Sequence, residues 1–382
     1  MFTRPPWLQP RTAYVHVPFC AHHCGYCDFA VTVGQDSLVE LYLEALAVEL
    51  AGLNDPQPIE TAFIGGGTPT HLTTGQLERL LATIRRWLPL PPGAEFSIES
   101  TPESLDDEKC RALNAGGVTR VSVGVQSFRP HLLAALDRLH RIDHIPRAVE
   151  LVRKYGLNLS LDLIFAAPGA SRADWEADLG DVTRYAPDHI STYGLTYEKG
   201  TPLWKDRQRG QVTPVDEDVE RAMYERVMDV LPAAGFEHYE VSNFARPGHR
   251  CQHNERYWAN EAYFGFGVGA ARYVEGSREL NVRNTNDYIR RVLSGEPPTF
   301  QRESLGTRER AMETMAVQLR RCDGIDRPRF AEQSGADLDD FLGERLTRVI
   351  DLGLLASVGR TVRLTRAGLF VADGVIEELM KG

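Results

Sequence analysis

Hydrophobic positions between residues 12 and 235 alternate between two patterns. Short apolar runs have strand length: AYVHV (13–17), AFIG (62–65), EFSIES (95–100), RVSVGV (120–125), LSLDLIF (159–165) and HISTYGL (189–195). Between them lie longer stretches of helical period, among them SLVELYLEALAVELAGL (37–53), TGQLERLLATIRRWL (74–88) and RADWEADLGDVTRY (172–185). Six strand-then-helix units predict parallel strands joined by right-handed crossovers. An open sheet and a partial barrel both satisfy that order, and strand phase favours the barrel. In RVSVGVQ, Val121, Val123 and Val125 share one face, with Ser122, Gly124 and Gln126 opposite. In LSLDLIF, Leu159, Leu161 and Leu163 oppose Ser160 and Asp162. A strand covered by helices on both faces reads as continuously apolar. One apolar and one sparsely polar face instead suit a lumen with a site at the C-terminal ends of the strands. The expected fold class is α/β, a partial (β/α)6 barrel over residues 1–235.

Residues 236–298, including EHYEVSNFARPGHRCQHNERYW and AYFGFGVGAARY, are rich in aromatics and glycine and have no clear period. They are expected to form an irregular extension packed on the barrel. Residues 299–382 read as a third unit. RPRFAEQSG (327–335) and LDDFLGERLTRVIDLG (338–353) have helical period, LLASVGRTVRLT reads as a hairpin around Gly359-Arg360, and AGLFVADGVIEELM as a closing helix. That order predicts a winged-helix-like α+β unit.

Composition changes this picture only at its edges. A chain of 382 residues with 42% hydrophobic and 25% charged residues can bury a large core, in two or three domains, and is neither disordered nor a small disulfide-stapled fold. The net charge of −10, from 43 basic and 53 acidic residues, argues against a nucleic-acid partner. In residues 323–382, eight Lys and Arg against eleven Asp and Glu weaken a DNA-binding reading of the winged helix. The start, MFTRPPWLQPRT, has no apolar signal region, and no window approaches 18 apolar residues, so no transmembrane segment and a cytoplasmic location are expected. Six cysteines are too few for a disulfide scaffold.

Their spacing carries the chemistry. CAHHCGYC places Cys20, Cys24 and Cys27 at C-x3-C-x2-C directly after the first strand. Thiolates are soft ligands for iron–sulfur clusters or zinc. Zinc would need a fourth ligand, from His22, His23 or a distant residue; a [4Fe–4S] cluster held by three cysteines leaves one iron open. The second strand ends in GGGTPT (65–70), which is no P-loop because no Lys-Ser/Thr follows, and which suits close backbone approach to a ligand. Glu99, Gln126 and Asp162 fall on the polar phase near the ends of the next strands and outline one rim.

Taken together, YVHVPFCAHHCGYC, IGGGTPT, RVSVGVQSF, the Arg138-Leu-His140 stretch, LDLIFAAPG and SNFARPGHRCQHNERYW resemble the radical S-adenosylmethionine superfamily, within it the coproporphyrinogen dehydrogenase group. The resemblance covers nearly the whole chain and implies a radical-SAM partial barrel. It implies that Cys20, Cys24 and Cys27 bind a [4Fe–4S] cluster. It further implies that Tyr14, Tyr26, Gly66, Gly67, Thr68, Glu99, Gln126, Arg138, Asp162, Gly194 and Ala271 line the S-adenosylmethionine site. The chemistry implied is reductive cleavage of the sulfonium to a 5′-deoxyadenosyl radical.

One departure selects a branch. The porphyrinogen-oxidising members carry a fourth cysteine two residues after the third, whereas here Cys27 is followed by Asp28 and Phe29. Phenylalanine there, with HNERYW (253–258), is similar to the HemW-type haem chaperones. That implies haem as ligand and recipient haem proteins, some at the membrane surface, as partners, with coproporphyrinogen turnover the alternative function. His253 and Cys251 are chemically competent axial ligands for haem iron, and Tyr257, Trp258, Tyr263, Phe264 and Phe266 could supply flat apolar contacts, or simply form a core. His16, His22 and His23 are further ligand candidates.

Overall fold

The six apolar runs all form strands in the computed structural model, which describes residues 2–381. They are β1 (Thr12–Val17), β2 (Thr61–Gly66), β3 (Glu95–Ser100), β4 (Arg120–Gln126), β5 (Asn158–Phe165) and β6 (His189–Gly194). Each pairs in parallel with the next in sequence order. Helices Val39–Ala51, Thr74–Trp87, Asp107–Ala115, His144–Lys154 and Arg172–Arg184 lie in the crossovers. Helix Thr74–Trp87 shows how local sequence sets an element. Thr73 caps it in a capping box with Gln76, and Leu77, Leu80, Leu81 and Ile84 recur at helical spacing on its buried stripe.

The outer face of the sheet is apolar as expected. Val121, Val123 and Val125 are wholly buried in a core that runs from Ala13 to Val292. The inner face carries Ser97, Ser122, Ser160 and Ser191 across β3 to β6, and Tyr14 and Phe63 continue that face on β1 and β2.

The middle segment is more regular than its aperiodic sequence suggests. Its strands β7 (Glu237–Glu240), β8 (Asn243–Ala245) and β9 (Phe264–Phe266) complete a nine-stranded sheet. β8 joins β6 antiparallel and β7 joins β8, while β9 adds to the opposite edge parallel to β1. Strands of three or four residues are too short for a period of two to show. The sheet order is linear, so the barrel stays open. A small antiparallel sheet, Ala271–Val274, Ser277–Asn281 and Thr299–Ser304, crosses residue 298, so the boundary expected there divides one sheet.

The C-terminal unit has its own core, from Ala311 to Leu379. Helix Arg327–Ser334 forms as expected. The second expected helix is split into Leu338–Leu342 and Glu344–Asp351 by Gly343, whose φ of +53° breaks the helical path. The hairpin Leu355–Val358/Thr361–Leu364 follows, with Ile325–Asp326 as its third strand, then helices Arg366–Phe370 and Ala372–Met380. Among the described residues no helix is long and apolar enough to cross a membrane.

Candidate functional site

The cysteine loop leaves the C-terminal end of β1. Cys20, Cys24 and Cys27 are free and partly buried. The Cys27 amide donates to the Cys24 carbonyl at 3.1 Å, which curls the loop. Arg138 braces it, donating from Nη1 to Cys24 Sγ at 3.4 Å and from Nη2 to the Gly124 carbonyl at 2.8 Å. Cys20 Sγ lies 3.5 Å from Thr68 Oγ1. Burial pushes the Cys20 thiol up to about 12 and the Cys27 thiol to about 11, with neighbouring thiols adding to both shifts. Unliganded, both are protonated at neutral pH, and a bound metal centre would be what holds them as thiolates. Among the described residues no group of three His, Cys, Asp or Glu converges as a single metal ion requires. Three soft sulfurs spread over one loop, with a cation beside the middle one, fit an iron–sulfur cluster.

The glycine run has a different physical role from the one its sequence suggests. Gly66 has a φ of +108°, and a Cβ there would overlap the His16 ring. A Cβ at Gly67 would stand 2.6 Å from the Pro18 carbonyl oxygen. The Gly67 amide donates to Val17 O at 2.8 Å and the Thr68 amide to Phe19 O at 2.9 Å. These glycines let the end of β2 close onto the base of the cysteine loop, so the space a side chain would occupy belongs to protein atoms and not to a ligand.

Around this loop stand the expected rim residues. Glu99 accepts from the Gly66 amide at 2.8 Å; burial, reinforced by the Asp162 charge, pushes its carboxyl up to about 7. Asp162 accepts from Ser122 Oγ at 2.9 Å and is also bonded by Ser160 and Ser191, yet burial still raises it. Gln126 has a φ of +65°, at a register shift next to Gly124. A Cβ on Gly124 would stand 2.8 Å from Gln126 Nε2, so that glycine makes room for the Gln126 amide beside Arg138. Left-handed backbone in a glutamine is a strained feature of the kind that gathers at ligand sites. Tyr14 lies 3.2 Å from His16 Nδ1 and stacks on Phe63. Tyr26 packs among Leu132, Leu136 and Leu203, its hydroxyl pushed up by burial beside Arg138. Gly194 ends β6 against Phe165, and the Ala271 carbonyl packs on Gly265, the register partner of Tyr14. The serines that hold Asp162 were legible only as polar phase.

His253 and Cys251 lie elsewhere. Helix Gln252–Trp258 covers the N-terminal ends of the strands, and Glu95, at the start of β3, receives the amides of Gln252 (3.0 Å) and His253 (3.1 Å) and the Cys251 thiol (3.3 Å). His253 Nδ1 bonds Thr12 Oγ1 at 2.8 Å, and its ring packs between Phe63 and Tyr257. Tyr257 in turn stacks on Tyr263. Both side chains are buried and partnered, and burial lowers the His253 imidazole to about 3. Neither can reach a haem iron without breaking this layer, so their expected role as axial ligands gives way to a structural one. His16 is likewise engaged, with Nε2 2.8 Å from the Ala30 carbonyl. His22 is part-exposed and His23 exposed in the cysteine loop.

Comparison with known proteins places this geometry. The family model of the radical SAM superfamily matches residues 14–182, and that of the HemN C-terminal domain matches residues 306–371. The heme chaperone HemW of Bacillus subtilis is 37% identical over 96% of this chain and 98% of its own. That of Escherichia coli is 31% identical over 97% and 98% respectively. The solved structure of coproporphyrinogen III oxidase (HemN) from Escherichia coli, a radical SAM enzyme, superposes with a TM-score of 0.85 over 98% of this chain and 91% of its own, at 22% identity. At that identity the likeness establishes the fold alone.

Proposed function

The chain belongs to the HemW family of the radical SAM superfamily, and from that premise we propose that it is a haem chaperone: it binds haem and delivers it to haem proteins, including respiratory enzymes at the membrane surface. The observation that carries the reading is identity of 31–38% to heme chaperones HemW over most or nearly all of the chain. Cys20, Cys24 and Cys27 hold a [4Fe–4S] cluster, and Tyr14, Glu99, Gln126, Arg138 and Asp162 line the S-adenosylmethionine pocket. When bound, the cluster supplies one-electron reducing chemistry beside the cofactor. The chain's own share is positional. Arg138 supports the Cys24 thiolate, and the rim carboxylates accept from cofactor donors.

In this reading haem docks at the same end of the sheet. Phe29 and Leu139, 65% and 60% exposed, adjoin the cysteine loop and Arg138, and offer apolar surface to a flat ligand. His22 and His23 offer imidazoles on the same loop, where a ligand would have to displace the Asp137 carboxylate 3.0 Å from His22 Nε2 or the Cys27 carbonyl 3.0 Å from His23 Nε2. Haemin titration of the purified protein tests the reading. A dissociation constant in the low micromolar range or tighter is expected, about 8 kcal/mol or more, with a Soret band altered in His22→Ala or His23→Ala protein. Coproporphyrinogen turnover is expected to be absent, because Phe29 stands where the oxidising enzymes carry cysteine. Steady formation of protoporphyrinogen would replace the proposal with the enzymatic alternative.

A further inference from the structure

Below Asp162 the inner face of the sheet holds a file of hydrogen-bonding side chains that cluster and cofactor binding leave unexplained. The Cys251 amide donates to the Tyr239 hydroxyl oxygen at 3.4 Å. That oxygen lies 2.8 Å from His189 Nε2, and His189 Nδ1 lies 2.9 Å from Ser160 Oγ. Ser160 Oγ lies 3.5 Å from Asp162 Oδ1. Tyr239, His189 and Ser160 are all buried, so bulk water does not compete along the file.

Donor and acceptor chemistry gives the file a direction. A carboxylate only accepts, so Ser160 donates to Asp162 and its oxygen is free to accept from His189 Nδ1–H. A neutral imidazole carries one N–H, which leaves Nε2 to accept the Tyr239 proton. Tyr239 can then accept from Cys251. Each donor points toward Asp162, the arrangement in which successive hydrogen bonds polarise one another. Burial and the nearby Arg120 cation keep the imidazole neutral.

We propose that His189 is a positioning residue, locked by Tyr239 as its Nδ1–H tautomer, that orients Asp162 through Ser160 and ties the rim to the backbone at Cys251, where helix Gln252–Trp258 begins. The proposal rests on the reading of Asp162 as part of the S-adenosylmethionine site.

Two measurements on the full chain test it. Long-range proton–nitrogen spectra of protein labelled with 15N-histidine report the tautomer, with His189 assigned by its absence from the spectrum of His189→Asn. An Nδ1–H pattern is expected in the wild type, with the tautomers mixed in Tyr239→Phe. Equilibrium dialysis of S-adenosylmethionine against cluster-loaded protein reports the rim. His189→Leu should weaken binding roughly threefold to tenfold, the effect of one lost hydrogen bond. His189→Asn, whose amide can place an N–H where Nδ1 stood, should stay within about twofold by the same measure. Iron content serves as the folding control, and if the leucine variant loses its iron, Tyr239→Phe carries the binding test with weakening expected. An Nε2–H tautomer in the wild type would overturn the proposal. So would equal binding by the leucine and asparagine variants while Asp162→Asn binds weakly. If Asp162→Asn bound like the wild type, the cofactor reading would fail instead, and the spectra would still decide the file.

Discussion

The two ends of the main sheet hold the same side-chain types under opposite conditions. At the C-terminal end three cysteines and two histidines sit on a partly exposed loop, with a guanidinium against one sulfur. At the N-terminal end Cys251 and His253 are buried, and each already has a polar partner. The first set can change partners when a ligand arrives; the second would have to vacate a packed layer in which Glu95 and Arg120 are paired at 3.3 Å. Residue type alone does not make a ligand. Access and the hydrogen bonds already made decide which cysteine or histidine is available.

The largest effect that can break this contrast is all-or-none. Cys24→Ala should hold almost none of the roughly four irons expected for a [4Fe–4S] cluster, while its unfolding midpoint stays near that of the apo wild type. Iron and sulfide analysis after anaerobic reconstitution checks it, and full retention of iron would remove Cys24 from the ligand set. At the other end, Glu95→Ala strips a buried Arg120 of its carboxylate and should cost roughly 3–5 kcal/mol of stability, read by urea unfolding. Its iron content should not change.

His253→Ala sharpens the comparison further. It removes the Thr12 bond and the ring packed between Phe63 and Tyr257, for an expected loss of about 2–4 kcal/mol. Its haem spectrum should match the wild type, and an altered Soret band in a protein that still unfolds cooperatively would return His253 to the haem site. The last effect is graded with pH and concerns Glu99. Its carboxyl is raised from 4.5 to about 7 in the fold, so the folded state binds more protons than the unfolded one across that window. Stability from this group is therefore full below about 4.5 and lost as pH rises through about 7. Between pH 5 and 8 the wild type should lose more stability than Glu99→Gln, and parallel pH profiles would show that Glu99 is ionised throughout.

Much of the upper end was legible in the sequence because its signals are local. C-x3-C-x2-C spans eight residues, and the strand phases of RVSVGVQ and LSLDLIF assign Gln126 and Asp162 to the inner face without any knowledge of the fold. The middle segment was opaque for the opposite reason. Its strands are three or four residues long, and they add to both edges of a sheet whose other members lie up to about 250 residues away in sequence, as in the pairing of Ala13 with Phe264.

Sequence alone determined the order of strands and helices, the apolar outer face and the cysteine loop, since each depends on spacing within a few residues. Only the tertiary structure decided what the remaining polar residues do. Gly67 reads as a gap for a ligand until the Pro18 carbonyl is found in that space. His253 reads as an iron ligand until Thr12, more than 200 residues earlier, is found on its Nδ1. His189 reads as one more residue at the start of a strand until Tyr239 and Ser160 bracket its two nitrogens. Whether a polar side chain is free or spent depends on partners brought by the fold from distant parts of the chain, and no local pattern encodes them.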